Sequence, residues 1–154
     1  MLYRFILFLF ISNTVFAVTP KELYGTWETQ RQSQNRSTYS SEHDSITFRP
    51  ATVSLELTVN LKRGSAYIKN LRVHTQGIWK VKGDILVIVW QDLRVVGYEE
   101  SKGINEASIQ KLGTQLRGRY LDDPIRIFQF QSIDRLAFRA LDENQNLKEY
   151  KRSR

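Results

Sequence analysis

Thr52-Val53-Ser54-Leu55-Glu56-Leu57-Thr58-Val59-Asn60-Leu61 alternates without a break between polar and apolar residues. Successive side chains of an extended chain point to opposite faces, so this period of two builds a strand with Val53, Leu55, Leu57, Val59 and Leu61 on one dry face. Ile46-Thr47-Phe48 just before it reads as a partner strand. Arg49-Pro50-Ala51 is the turn between them, because proline has no N–H for a ladder and is tolerated at turns.

Working outward, Gly77-Ile78-Trp79-Lys80-Val81-Lys82-Gly83-Asp84-Ile85-Leu86 contains a Gly-x pair suited to a two-residue type II′ hairpin turn. Closing at Gly83-Asp84 sets Val81 opposite Leu86, Trp79 opposite Ile88 and Gly77 opposite Trp90 on one side. Lys80 and Ile78 then face Val87 and Val89 on the other. The first side is the core side, and Gly77 is expected to leave room for the Trp90 indole. Ile125-Arg126-Ile127-Phe128-Gln129-Phe130 and Leu136-Ala137-Phe138-Arg139-Ala140-Leu141 form a third hairpin, and a turn at 142–145 leads to a last strand over 147–152.

Strands joined by local turns at roughly 8–12-residue spacing predict an antiparallel meander, and closing it removes its exposed edges. The expected fold class is all-β, an antiparallel up-and-down barrel of about eight strands. Residues 98–124 interrupt the pattern: they are polar and glycine-containing, with Ile104, Ser108, Leu112 and Leu116 at four-residue spacing. They predict a long loop or a short helix near 105–112, an excursion off the barrel, with Gly113 weakening the helix end.

At the N-terminus Arg4 precedes an apolar run over 5–11 and then Ser12-Asn13-Thr14-Val15-Phe16-Ala17. That arrangement predicts a secretory signal peptide over 1–17, cut after Ala17, with one domain over 18–154. A periplasmic or secreted location follows. With no cysteine in the chain, burial rather than disulfides must hold the fold together. The net charge of +7, lowered by one when Arg4 leaves, suits an acidic protein or an anionic envelope surface. Export and scattered basic residues argue against nucleic acid, and the mature chain has no apolar run long enough for a transmembrane helix.

Leu23-Tyr24-Gly25-Thr26-Trp27-Glu28 resembles the opening of lipocalins and of small bacterial lipocalin-like (calycin-type) exported domains. The resemblance continues through Ile46-Thr47-Phe48, Gly77-Ile78-Trp79, Leu136-Ala137-Phe138-Arg139 and Glu149-Tyr150-Lys151-Arg152. It implies that Gly25 and Trp27 form a structural barrel end across which a late arginine packs. Arg152 is the best match for that arginine and Arg139 the alternative. Guanidinium over indole is physically sound, since the ring face attracts the cation.

The inventory for chemistry is thin: no cysteine, and two histidines, His43 and His74. His43-Asp44 with Ser41 does not make a triad, because neighbours on a strand point apart, and no Gly-x-Ser-x-Gly elbow exists. No His-x-His pair suggests a metal, and no phosphate loop suggests a nucleotide, so neither metal nor cofactor is expected. The acidic pairs Glu99-Glu100, Asp122-Asp123 and Asp142-Glu143 fall in predicted loops or turns, where solvated charge is ordinary.

The chain is therefore expected to be a non-catalytic binding protein for a small apolar, amphipathic or anionic envelope ligand. Its candidate ligand-facing interior comprises Leu55, Leu57, Trp79, Val81, Ile88, Trp90 and Phe138. The alternative is a protein–protein module of inhibitor, immunity or scaffold type, with a side-chain-filled barrel and its surface on 98–124. Barrels of this size can do either.

Overall fold

The computed structural model describes residues 17–154. The proposed leader, Ala17 apart, lies outside them. The elements are α1 (Pro20–Leu23), β1 (Gly25–Asn35), β2 (Thr38–Phe48), β3 (Thr52–Arg63), β4 (Ala66–Lys82), β5 (Ile85–Gly97), β6 (Glu100–Lys102), α2 (Glu106–Leu121), β7 (Ile125–Ile133), β8 (Ala137–Asp142) and β9 (Leu147–Arg152). Eight strands close into an antiparallel barrel in the order β1-β2-β3-β4-β5-β7-β8-β9, with β9 returning to β1 through Trp27↔Arg152. Strand β6 pairs with the start of β4, outside that ring. The architecture is consistent with a calycin-like fold.

Registers follow the hydrophobic pattern. Val53, Leu55, Leu57 and Val59 are all buried, and the β4–β5 hairpin pairs Val81↔Leu86, Trp79↔Ile88 and Gly77↔Trp90 across a turn in which Gly83 has φ +63°. Gly77 is small for a different reason than the one expected. A Cβ there would strike the backbone carbonyl of Val89 and lie 3.1 Å from Trp90 Cα, so the space is claimed by β5 main chain at a bulge rather than by the indole.

The strands are longer than their apolar cores suggest: β1 spans 11 residues and β4 spans 17, whereas β8 and β9 span 6 each. One barrel end is ringed by α1 and the turns at 49–51, 83–84 and 134–136, with the last residues of β9 beside them. The opposite end, the mouth, has tall walls from β1 to β5 and low ones from β7 to β9. Helix α2 fills the overhang.

That helix is where the structure departs most from expectation. It runs 16 residues, with Asn105 as N-cap accepting from Ser108 N at 2.9 Å, and it continues straight through Gly113. Gly113 is an approach point rather than an end, since a Cβ there would sit 2.8 Å from Val95 Cγ2. Ile109, Leu112 and Leu116 share a face at helical spacing and pack on Leu57, Leu71 and Leu93, so tertiary burial compensates the propensity lost at glycine.

Candidate functional site

The closed end is a filled aromatic core. Trp27 is wholly buried and donates through Nε1 to Leu23 O at 2.7 Å. Phe138 meets Trp27 edge-on at 5.0 Å, Phe130 at 5.4 Å, and stacks on Tyr150 at 4.7 Å. Arg152 lies over the Trp27 ring at 4.0 Å, and its three nitrogens donate to Tyr24 O, Glu22 O and Arg135 O at 2.7, 2.8 and 3.0 Å. Gly25 has φ +112°, and a side chain there would collide with Arg152 Nη1 at 2.9 Å. Both features call for glycine at this position. Arg139 instead projects outside and pairs with Glu149 at 3.7 Å.

The candidate ligand-facing residues divide between the two regions. Trp79 seals the closed end, donating to Arg49 O and Thr52 O at 2.8 and 3.0 Å and meeting Phe48 edge-on. Val81 packs against the same aromatic core. Leu57 belongs to the cluster under α2. Phe138 borders a residual interior void of about 10 Å³, room for about one water-sized sphere. Leu55, Ile88 and Trp90, by contrast, line a cavity of about 310 Å³ at the mouth, between β1, β2, the α2 C-terminus and the β8–β9 turn.

This mouth cavity has an apolar floor that includes Ile46, Trp90, Phe128 and Tyr150, and a charged wall. Tyr120 from the last turn of α2 leans over Trp90 at 6.2 Å, edge to face, and Arg126 sits over Tyr120 at 5.9 Å. Arg126 is tied in place by donating to Arg119 O at 2.8 Å and to Asp123 O at 2.7 Å. Four basic side chains (Arg31, Arg119, Arg126, Lys148) and four acidic ones (Asp44, Asp123, Asp142, Glu143) share the lining.

Asp44 is the unusual member. Only 6% of it is exposed, and among the described residues its Oδ1 is the buried side-chain atom with no hydrogen-bond partner. The other oxygen has only a long contact, 3.5 Å to Arg31 Nη2, while Arg31 is closer to Glu42 at 2.7 Å. Desolvation pushes the Asp44 carboxyl above the ordinary aspartate range, and Arg31 offsets this only in part. Burial also raises the phenols of Tyr120 and Tyr150, and the nearby Asp44 charge adds to both shifts.

Asp44, Arg31, Tyr120, Lys148 and Tyr150 were not among the candidate ligand-facing residues read from sequence, where Asp44 entered only through the dismissed triad with His43 and Ser41. A signal for Asp44 was present: it stands two and four residues before Ile46 and Phe48, on the inward parity of β2. Its neighbour His43 points outward to Glu28 at 3.7 Å, and His74 bonds Gln76 at 3.0 Å. Among the described residues no cluster of three metal-ligating side chains occurs, and no helix is long and apolar enough to cross a membrane. No protein-family model matches the chain, and no curated protein matches it.

Proposed function

We propose that this chain is an exported, non-catalytic, lipocalin-like binding protein whose ligand, a small amphipathic molecule of the cell envelope, seats in the mouth rather than deep in the barrel. The carrying observation is the mouth cavity: about 310 Å³, floored by Leu55, Ile88 and Trp90 and walled by charged side chains. That volume is at the lower end of the range of about 300–1,000 Å³ seen for small-molecule sites. The interior void of about 10 Å³ argues against a long acyl chain threading the barrel. Native mass spectrometry of the protein purified from its own periplasm tests the reading. A reproducible adduct of small mass is expected, and a clean ligand-free mass across preparations would overturn it.

A protein–protein module is the second reading, and it has its own observation. Outward-facing Ile78, Val89 and Ile125 are paired across β4, β5 and β7, and Val87↔Ile127 lies in the adjacent row. Ile78, Ile125 and Ile127 are 46%, 48% and 44% exposed. On this reading the outer wall offers a recognition surface besides the exposed face of 98–124. Co-elution of a partner from envelope extract with the wild-type chain but not with Ile127→Lys would favour it.

A further inference from the structure

The geometry points to an amine as the polar end of the ligand: a primary ammonium group hydrogen-bonded to Asp44 above the aromatic floor of Trp90, Tyr120 and Tyr150. This rests on the mouth being the binding site. It narrows the ligand class from amphipathic molecules in general to those with a cationic head.

Charged groups at the mouth are mostly matched in pairs. Arg31 has Glu42 at 2.7 Å, Lys148 has Asp142 at 3.6 Å and Arg126 has Glu143 at 3.8 Å. Asp142 is further occupied, accepting from Asn144 N and Asn146 N at 2.9 and 2.8 Å. Arg119 and Asp123, both exposed, balance one another in sign at the rim. The carboxylate left over is Asp44, buried, with Oδ1 unpartnered and a single contact of 3.5 Å to Arg31. A buried acceptor without a donor is destabilising, and more so when charged. An ammonium has three N–H donors to fill that acceptor and a full positive charge to neutralise it.

The surrounding rings favour the same head group. Trp90 and Tyr120 meet edge to face at 6.2 Å, and Tyr150 completes the floor beside Asp44. Aromatic faces attract cations, most strongly in desolvated sites. An anionic head would meet the same faces and the Asp44 carboxylate unfavourably, and Arg31, Lys148 and Arg126 already have acidic partners, which leaves Arg119 at the exposed rim as the basic lining residue without one among the described residues. The weakness of the Arg31 contact is functional on this view: a guanidinium closer than 3.5 Å would close the site.

Three probes of one shape and different head groups separate the possibilities: phenethylamine, 2-phenylethanol and 3-phenylpropanoate, titrated into the full mature chain and followed by amide chemical shifts and tryptophan fluorescence. Dihexanoyl phosphatidylethanolamine is a fourth arm, and distinguishes an amine carried on a lipid from a free one. Phenethylamine or the lipid amine is expected to bind at least tenfold more tightly than the alcohol and the acid, with shifts at Trp90, Tyr120 and Tyr150. Asp44→Asn, with fold checked by circular dichroism, is expected to remove at least tenfold of that affinity. Arg31→Gln, which frees Asp44 of its only cationic contact, is expected to strengthen amine binding severalfold. Preference for 3-phenylpropanoate, or amine binding unaffected by both substitutions, would overturn the amine assignment while leaving the mouth as the site. No response to any probe would overturn it as well, and an empty native mass spectrum would then remove the mouth reading separately.

Discussion

The two ends of this barrel are built from the same strands and solve opposite problems. At the closed end every prominent polar group has a partner: the Trp27 N–H has Leu23 O, and the three Arg152 nitrogens have three carbonyls. Aromatic rings from β1, β7, β8 and β9 fill the space between. At the mouth a carboxylate is buried with one oxygen unpartnered and the other 3.5 Å from Arg31, beside a cavity of about 310 Å³. Completed packing marks the end that holds the fold, and on the proposed reading incomplete satisfaction marks the end that receives a ligand. Sites of this second kind are commonly retained at some expense in stability.

The two ends should differ most at Trp27. Trp27→Ala should lower unfolding free energy by about 3–5 kcal/mol, the range for removing a large buried aromatic. Urea denaturation measures it, and an unchanged midpoint would mean the closed end is not the stabilising one. Arg152→Ala should cost about 2 kcal/mol, from hydrogen bonds to a charged group and loss of a ring-stacked cation. Lysine at 152 should restore only part of this, because a point charge cannot reach three carbonyls and cover the indole together. Thermal melts of the pair check the order.

Between the two ends, Gly113→Ala should destabilise by about 1 kcal/mol despite alanine's better helix propensity, because the new Cβ meets Val95 Cγ2 at 2.8 Å. Val95→Ala in the same chain should return the loss, and a failure of that rescue in equilibrium unfolding would show that α2 docks elsewhere.

The smallest effect has the opposite sign and sharpens the contrast. With its folded pKa raised above the ordinary 3.8, Asp44 stays protonated in the folded state to higher pH than in the unfolded one. Its contribution is neutral below about 3.8, turns destabilising as pH climbs from there through the raised folded value, and is largest above it. Asp44→Asn should therefore raise Tm modestly at neutral pH, with the gain shrinking on acidification. A Tm that falls at neutral pH would place Asp44 among the stabilising groups and erase the difference between the ends.

How much of this was readable beforehand differs by residue. The β4–β5 register followed from Gly83-Asp84 and the flanking apolar parity, since a one-residue slip would turn Trp79 and Ile88 to the outside. The pairing of Arg152 with Trp27 came from a family resemblance, because no spacing rule joins residues 125 positions apart; the structure supplies the 4.0 Å contact. The reach of α2 was hidden because its stabilising face is provided by Leu57, Leu71 and Leu93, far off in sequence. The division of the candidate interior was hidden as well. Leu55 and Phe138 look alike as inward residues, and only their height along the barrel decides that one borders the mouth and the other fills the core.

Alternation, turn chemistry and glycine placement are local properties, and they determined by themselves that this chain makes antiparallel strands, where most of them turn and which faces are dry. Barrel closure, the docking of α2 over the overhang and the burial of Asp44 with a single long contact to Arg31 are products of distant segments meeting. Burial and pairing are relations between such segments, so the mouth acquired its chemistry only in the tertiary structure.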